Sequence, residues 1–420
     1  MSDASAIAAE LVELVIESIA HGGDGVARKD GLVAFVPRTA PGDRVAAYIE
    51  TGKRFARGRV SRIDAPSSVR VDPLCPHYTS DRCGGCQLQH IAIDAQREAK
   101  RGIVRDSVRR IGRRDIPLPE VRAGASPWRY RHRLSLALRR LADGSWYAGL
   151  HAHDDPAKVF ALTDCLITDE RVVELWREVL SAAVHLPNAA ELRGTVRLVG
   201  DQGAFVLEGA SEWPGADAFA AGLTRFVGVW WAPRTGPRRR VTRASPAIPG
   251  ASFSQVNPEV AAALLSHVAE RVIAAAPRYA IDAYAGTGEL AALLHAEGIR
   301  VAAVELDEEA TAFSARRLTA PSRAITARVE DVIAGLLPAD VVVVNPPRAG
   351  MDARVTAAID RDARIRRVVY ISCDPATLAR DLTRLPSWTV AAVLAFDMFP
   401  QTAHIETVVE LERPSAGTAT

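Results

Sequence analysis

The 420-residue chain contains no run of about twenty uninterrupted apolar residues, the length a helix needs to cross a bilayer, so a helical membrane span is excluded. Its first ten residues lack the basic flank and small-residue cleavage site of a secretory leader, and a cytoplasmic location is expected. Cysteine is scarce: five residues, an odd number, with three of them inside the twelve positions from Cys75 to Cys86. That pattern excludes a disulfide framework and points to reduced thiols kept for metal binding or catalysis. An excess of one charge is also missing, since 52 Lys and Arg face 50 Asp and Glu. Hydrophobic residues at 48% and charged residues at 24% exclude disorder along the whole length. The length exceeds one compact core, which implies two or three domains.

The near-zero net charge is unevenly placed. Arg-rich stretches run from Arg97 to Arg114, Arg129 to Arg140 and Arg234 to Arg243. Such stretches create local fields that hold phosphates, and where Trp or Tyr is interleaved they suit RNA. A compositional preference for Arg and Ala explains the same residues without any ligand.

Four segments emerge along the chain. Residues 1–66 alternate short apolar runs with Gly, Pro and Asp turns, the pattern of a small β-barrel. Residues 67–245 begin with the clustered cysteines and a basic helix over Asp94–Ile111, then read as mostly β, up to a Pro- and Arg-rich boundary at Ala232–Gly250. Residues 246–413 alternate helix and strand signals, which predicts an α/β, doubly wound, mainly parallel sheet. Residues 414–420 are expected to be a loose tail.

Within the α/β part, the apolar strand ending at Tyr284 runs into AGTG and a helix. Gly286 and Gly288 let the backbone approach a ligand, and the helix start offers free N–H groups. Glu305 closes the next strand, where a carboxylate can accept bonds from ribose hydroxyls. The spacing departs from the dinucleotide fingerprint GxGxxG and looks like motif I of class I methyltransferases, with Asp282, Tyr284, Gly286 and Gly288 at the cofactor. Further on, Cys373 ends the apolar strand VVYISC, at the edge where open α/β sheets react. By position alone it is more often a small buried hydrophobe. Cys75, Cys83, Cys86 and the later Cys165 suit a four-thiolate site, with zinc and an iron–sulfur cluster equally compatible by spacing.

Several motifs together resemble the TrmA-like family of RNA uracil-5-methyltransferases: HGGDGVAR and FVPRTAPGDRV of a TRAM domain, CGGCQLQH, YRHRLSL, NPPR, SCDPATLARD and HIE. The resemblance implies a class I, Rossmann-like methyltransferase domain preceded by an OB-like TRAM barrel and a central domain bearing the cysteines. It implies S-adenosylmethionine as methyl donor and a [4Fe–4S] cluster on Cys75, Cys83, Cys86 and Cys165. It makes Cys373 the nucleophile and Glu406 the base, and it adds Gln255, Asp331 and Asn345 to the cofactor and base site. Tyr130, Arg131 and Arg133 would lie beside the RNA, and Phe253 near the base. The chemistry explains the thiol, because C5 of uracil attacks a sulfonium methyl only after a thiolate has added at C6. The helix N-terminus after Pro375 is expected to favour that thiolate. Asn345 can both donate and accept, as the O4 and N3–H edge of uracil requires. A monomer acting on RNA, ribosomal more than transfer RNA, is expected. The competing readings are an RNA cytosine-C5 methyltransferase and a non-catalytic iron–sulfur RNA-binding protein.

Overall fold

The computed structural model describes residues 10–189, 191–242 and 249–414. The expected tail, apart from Pro414, and residues 243–248 of the Pro- and Arg-rich boundary lie outside the described residues.

Three sheets follow one another. The first has the order Glu10–Val15, Arg44–Thr51, Ala56–Ala65, Leu32–Val36, Gly25–Lys29, Ser18–Ile19. Its strands alternate inward Leu14, Ala27, Ala34, Val36, Val45, Ala47 and Ile49, which share one small core, with outward polar residues. The second sheet runs Val159–Ala161, Trp146–His151, Arg133–Arg140, Leu192–Val199, Gln202–Glu208, Phe226–Ala232, Arg239–Arg240. The helix Glu170–Ser181 covers its apolar face. That helix and the shorter Ala216–Ala221 replace part of the β structure expected there. Val172, Val173, Leu175, Trp176 and Val179 are buried at helical spacing, and Asp169 caps the start through Arg171 N–H, so the signal was present but masked by strands on both sides.

The third sheet has eight strands in the order Arg323–Thr326, Arg300–Glu305, Tyr279–Ala283, Val341–Val344, Arg367–Ser372, Glu406–Glu412, Thr389–Phe396, Glu120–Arg122. Val341–Val344 is buried at every position, as a parallel strand with helices on both faces must be. Chain order reverses between Tyr279–Ala283 and Val341–Val344, which opens a crevice at the carboxyl ends of the strands. The mixed α/β class expected from the sequence is the one observed. Two elements of this half escaped the sequence pattern: the four-residue edge strand Arg323–Thr326 and the helix Val329–Leu336 after it. Four residues are too few for a period-2 signal. The strand Glu120–Arg122 also comes from far upstream and pairs in parallel with Thr389–Phe396.

Candidate active site

Strand direction decides what meets at the crevice. The last strand, Glu406–Glu412, runs antiparallel to Arg367–Ser372, and the register pairs Ser372 with Thr407. One residue further along each strand, Cys373 and Glu406 therefore arrive at the same edge from opposite directions. Asn345 leaves the neighbouring strand at that edge, with its N–H donating to the Ala283 carbonyl at 3.2 Å. Tyr284 and the glycine turn leave the next, and Glu305 ends the one beyond.

The sequence SCDPATLARD builds a rigid support for Cys373. Asp374 caps the helix Pro375–Thr383, accepting from Thr377 N–H at 2.8 Å, a contact worth about 1 kcal/mol. Ser372 Oγ both donates to the Asp374 carbonyl at 3.0 Å and accepts from its N–H at 3.2 Å. The same helix then holds the NPPRAGM loop: Thr377 Oγ1 donates to the Arg348 carbonyl, Arg380 to the Ala349 carbonyl, and Asp381 accepts from Met351 N–H. Asp381 is fully buried and also accepts from the Tyr370 hydroxyl at 2.7 Å. Gly350, at φ +79°, lies where a Cβ would strike Thr377, Arg380 and Asp381, so the loop and helix close without a gap.

The electrostatics differ from the sequence expectation at one point. The Cys373 thiol is held above its ordinary pKa, chiefly by burial and then by the Glu406 carboxylate, with Arg348 opposing. The capping carboxylate, Asp374, pushes the same way as burial and Glu406. Glu406 is 2% exposed, and burial raises its pKa to about 8 against the pull of Arg348. His404 is pushed down to about 4 by burial and by Arg348, leaving a neutral imidazole at pH 7.

Arg348, the last residue of the NPPR motif, is the cation common to all three groups. His21, in the first sheet's HGGDGVAR turn, is a second addition: its Nε2 lies 3.8 Å from Asp374 Oδ2, so the N-terminal barrel reaches the nucleophile's helix. The motif was visible, but its long-range contact was not.

The cofactor residues converge less evenly. Asp282 is 4% exposed, its pKa is raised to about 7 by burial, and Oδ2 has no partner among the described residues. A Cβ on Gly286, at φ +56°, would meet nothing within 4 Å, so the turn borders open space. Gly288, at φ +73°, packs against Ser314, where a Cβ would lie 2.1 Å from Oγ. Tyr284 holds a left-handed φ of +62°, a conformation that costs about 1–3 kcal/mol and concentrates at ligand sites. Glu305 accepts from the N–H groups of Gly286, Leu306 and Asp307, which fixes its carboxylate beside the turn. Gln255 is half-buried just before the cap of helix Pro258–Ala274, and Phe253 is exposed with Arg133 over its ring. Asp331 sits in the first turn of helix Val329–Leu336, exposed and paired with Arg354 at 2.9 Å. Burial, and after it the charge of its neighbour Glu330, raises the Tyr284 phenol.

Cys75, Cys83, Cys86 and Cys165 line one cavity of about 250 Å³, together with Arg131, Arg133 and Arg193. All four are free thiols, and among the described residues no three Cys, His, Asp or Glu side chains form a group that could hold a metal ion. Burial and neighbouring thiols raise Cys83 to about 11 and Cys86 to about 12. Gln89 of CGGCQLQH accepts from Cys75 N–H, and Arg38 from the first sheet donates to the Cys83 carbonyl at 2.7 Å while stacking on Tyr78.

Comparison with known proteins adds to this geometry. A tRNA (uracil-5-)-methyltransferase family model matches residues 312–414, which carry Asn345, Cys373 and Glu406, and a TRAM domain model matches residues 10–60. An RNA methyltransferase of Listeria monocytogenes is 30% identical over 95% of this chain and 97% of its own length. The 23S rRNA (uracil(1939)-C(5))-methyltransferase RlmD of Halomonas elongata is 32% identical over 96% of this chain and 90% of its own. The chain belongs to the RNA uracil-5-methyltransferase family. As a member of the RNA uracil-5-methyltransferases it is a SAM-dependent enzyme that modifies RNA, and its N-terminal sheet is a TRAM domain. The fold agrees: the Pyrococcus abyssi tRNA (uracil-54, C5)-methyltransferase, solved with S-adenosyl-L-homocysteine, superposes with a TM-score of 0.68 at 22% identity, covering 95% of this chain and all of that one. Among the described residues of this uracil-5-methyltransferase, no helix is long and apolar enough to cross a membrane.

Proposed function

We propose that the enzyme methylates C5 of a uridine in structured RNA, ribosomal rather than transfer RNA, through a transient bond between Cys373 and C6 of the uracil. The observation that carries this reading is the antiparallel register that delivers a thiol and a buried carboxylate to one edge, beside the glycine turn. S-Adenosylmethionine suits that turn: the orphaned oxygen of Asp282 and the open space over Gly286 can receive its ammonium group and its backbone. Glu305 would accept from the ribose hydroxyls and Asp331 or its neighbour Glu330 would meet the adenine, with Tyr284 and Gln255 as further residues that would hold the cofactor.

The steps follow from these groups. Cys373 loses its proton to water and its thiolate adds to C6, and the electron pair of the C5–C6 bond moves onto O4 as an enolate that Asn345 would hydrogen-bond. Arg348 is the cation that offsets the burial and the carboxylates opposing the thiolate. C5 then attacks the sulfonium methyl, whose bond to sulfur breaks to leave the neutral thioether. Glu406, as carboxylate, takes the C5 proton, and the ring expels the Cys373 thiolate. All these groups come from one chain, so the reaction asks for no second copy.

Cys75, Cys83, Cys86 and Cys165 would hold the [4Fe–4S] cluster. Their shared cavity supports ligation by all four thiols, and the likeness of CGGCQLQH to the family's motif, rather than the geometry, favours a cluster over zinc. The cluster would supply a staple for the RNA-binding part, with residues 1–66 and 67–245 gripping RNA and 246–413 performing transfer. The preference for ribosomal RNA rests on the similarity to a 23S rRNA enzyme over nearly the full chain. Mapping 5-methyluridine in ribosomal and transfer RNA with and without the gene tests it. Loss of one 23S position is expected, loss confined to transfer RNA would move the substrate, and no loss anywhere would overturn the reaction.

A further inference from the structure

The loop that leads into Glu406 is gripped mainly from outside the α/β half. Lys100, on the helix Ile93–Arg110, is fully buried, and its Nζ donates to Asp397 Oδ1 at 2.5 Å and to the Phe399 carbonyl at 3.0 Å. Arg97 reaches the other carboxylate oxygen at 3.4 Å. One turn earlier on the helix, Gln96 donates to Gln401 Oε1 at 2.9 Å and accepts from Gln401 N–H at 3.0 Å. Leu88 N–H donates to the Gln401 carbonyl, and the Tyr130 hydroxyl to that of Pro400. Gln401 is held at φ +69°, a left-handed conformation that a glutamine seldom adopts unaided.

These contacts bear on a single side chain. Phe396 is the cross-strand partner of Glu406, and Asp397 follows it directly. The clamp therefore fixes the strand end opposite Glu406 through Asp397 and the approach to Glu406 itself through Gln401. Burial opposes the charge on Lys100, and an apolar pair of similar volume would cover the loop with equal or greater stability. What the ion pair adds is direction: an ammonium with two named acceptors permits one register of the loop, which a leucine would not impose.

We propose that Lys100 is a positioning residue that sets the Glu406 carboxylate for removal of the C5 proton, an inference that rests on reading Glu406 as the base. The helix carrying it begins seven residues after Cys86, so the cysteine-bearing segment and the catalytic edge share one brace.

The test uses the full-length enzyme, S-adenosylmethionine and a uridine-containing ribosomal RNA transcript, and follows the denaturation-resistant protein–RNA complex over time. Lys100→Met is expected to form the methylated complex at the wild-type rate and to release it about ten- to a hundredfold more slowly, so that the complex accumulates. Should the single variant fail to fold because Asp397 is left unpaired, Lys100→Met/Asp397→Leu removes both charges and must show the same accumulation. Release at the wild-type rate from either folded variant overturns the proposal. So does a parallel loss of cofactor binding, complex formation and melting temperature without accumulation, the mark of a merely structural role. Glu406→Gln separates the two levels: wild-type release in that variant removes Glu406 as the base, whatever Lys100 does.

Discussion

The five cysteines occupy two environments that treat the same side chain differently. In the central part, Cys83 and Cys86 are raised to about 11 and 12 by burial and by neighbouring thiols. At the sheet edge, Cys373 is half-buried and raised by burial and Glu406, but Arg348 opposes them. In both places burial opposes ionisation of the thiol. The proposed difference lies in what the sulfur would bond once its proton has left: the irons of a cluster in one place, a single electrophilic carbon in the other. A cluster site needs thiols that stay put, whereas a nucleophile needs a cation and a base within reach of a partly open sulfur.

The comparison breaks most severely at Cys373. Cys373→Ala should lower methyl transfer by roughly 10⁵-fold or more while leaving S-adenosylmethionine affinity within about twofold, measured by labelled methyl incorporation and by equilibrium binding. Retention of even a hundredth of the activity would remove the covalent step.

Cys86→Ser should act in the opposite pattern. Iron content and melting temperature should fall together, because metal that binds only the folded state stabilises it, while turnover on RNA falls but persists. Cys373→Ser should leave iron and melting temperature at wild-type values. If both serine variants lose iron equally, the division of the five thiols into four and one is wrong.

How much of this could be read from the sequence depends on the range of each interaction. The local pieces were legible: SCDPATLARD and the AGTG turn each specify backbone within a few residues, through a cap at Asp374 and positive φ at Gly286 and Gly288, and CGGCQLQH reaches back fourteen residues through the Gln89 contact to Cys75. The pairing of Cys373 with Glu406 needs the direction of the last strand, which no local pattern encodes. Arg348 was hidden because its importance lies in the three groups it faces. His21 and Lys100 were hidden because their partners, Asp374 and Asp397, are hundreds of residues away. The raised Cys373 thiol was hidden as well, because burial, Glu406 and Asp374 act on it together only in the fold.

The pH dependence sharpens the edge half of the comparison. Burial raises Glu406 to about 8, so at pH 7 only about one molecule in ten carries the carboxylate that proton removal needs. A base gains activity as it loses its proton, so decay of the preformed covalent complex should quicken with pH, about tenfold per unit below pH 8, and level off above it. Decay of the complex isolates the step Glu406 serves, apart from formation of the thiolate. Glu406→Gln should be slow and flat across the same range, and a wild-type rate independent of pH between 6 and 8 would contradict the assignment.

The smallest expected effect concerns whether the TRAM domain belongs to the catalytic edge or only borders it. His21 Nε2 lies 3.8 Å from Asp374 Oδ2, with the imidazole 38% and the carboxylate 24% exposed. A contact of that length and exposure is worth at most about 1 kcal/mol. Asp374 also keeps its cap to Thr377 without it. His21→Ala should therefore slow methyl transfer by about two- to fivefold with an unchanged melting temperature, and the loss should shrink at high salt as screening weakens what is removed. A hundredfold loss would place the barrel turn inside the reacting site, with the imidazole touching RNA or the reacting groups directly. The sheet edge would then be an active site built from two domains rather than one held in place by its neighbour.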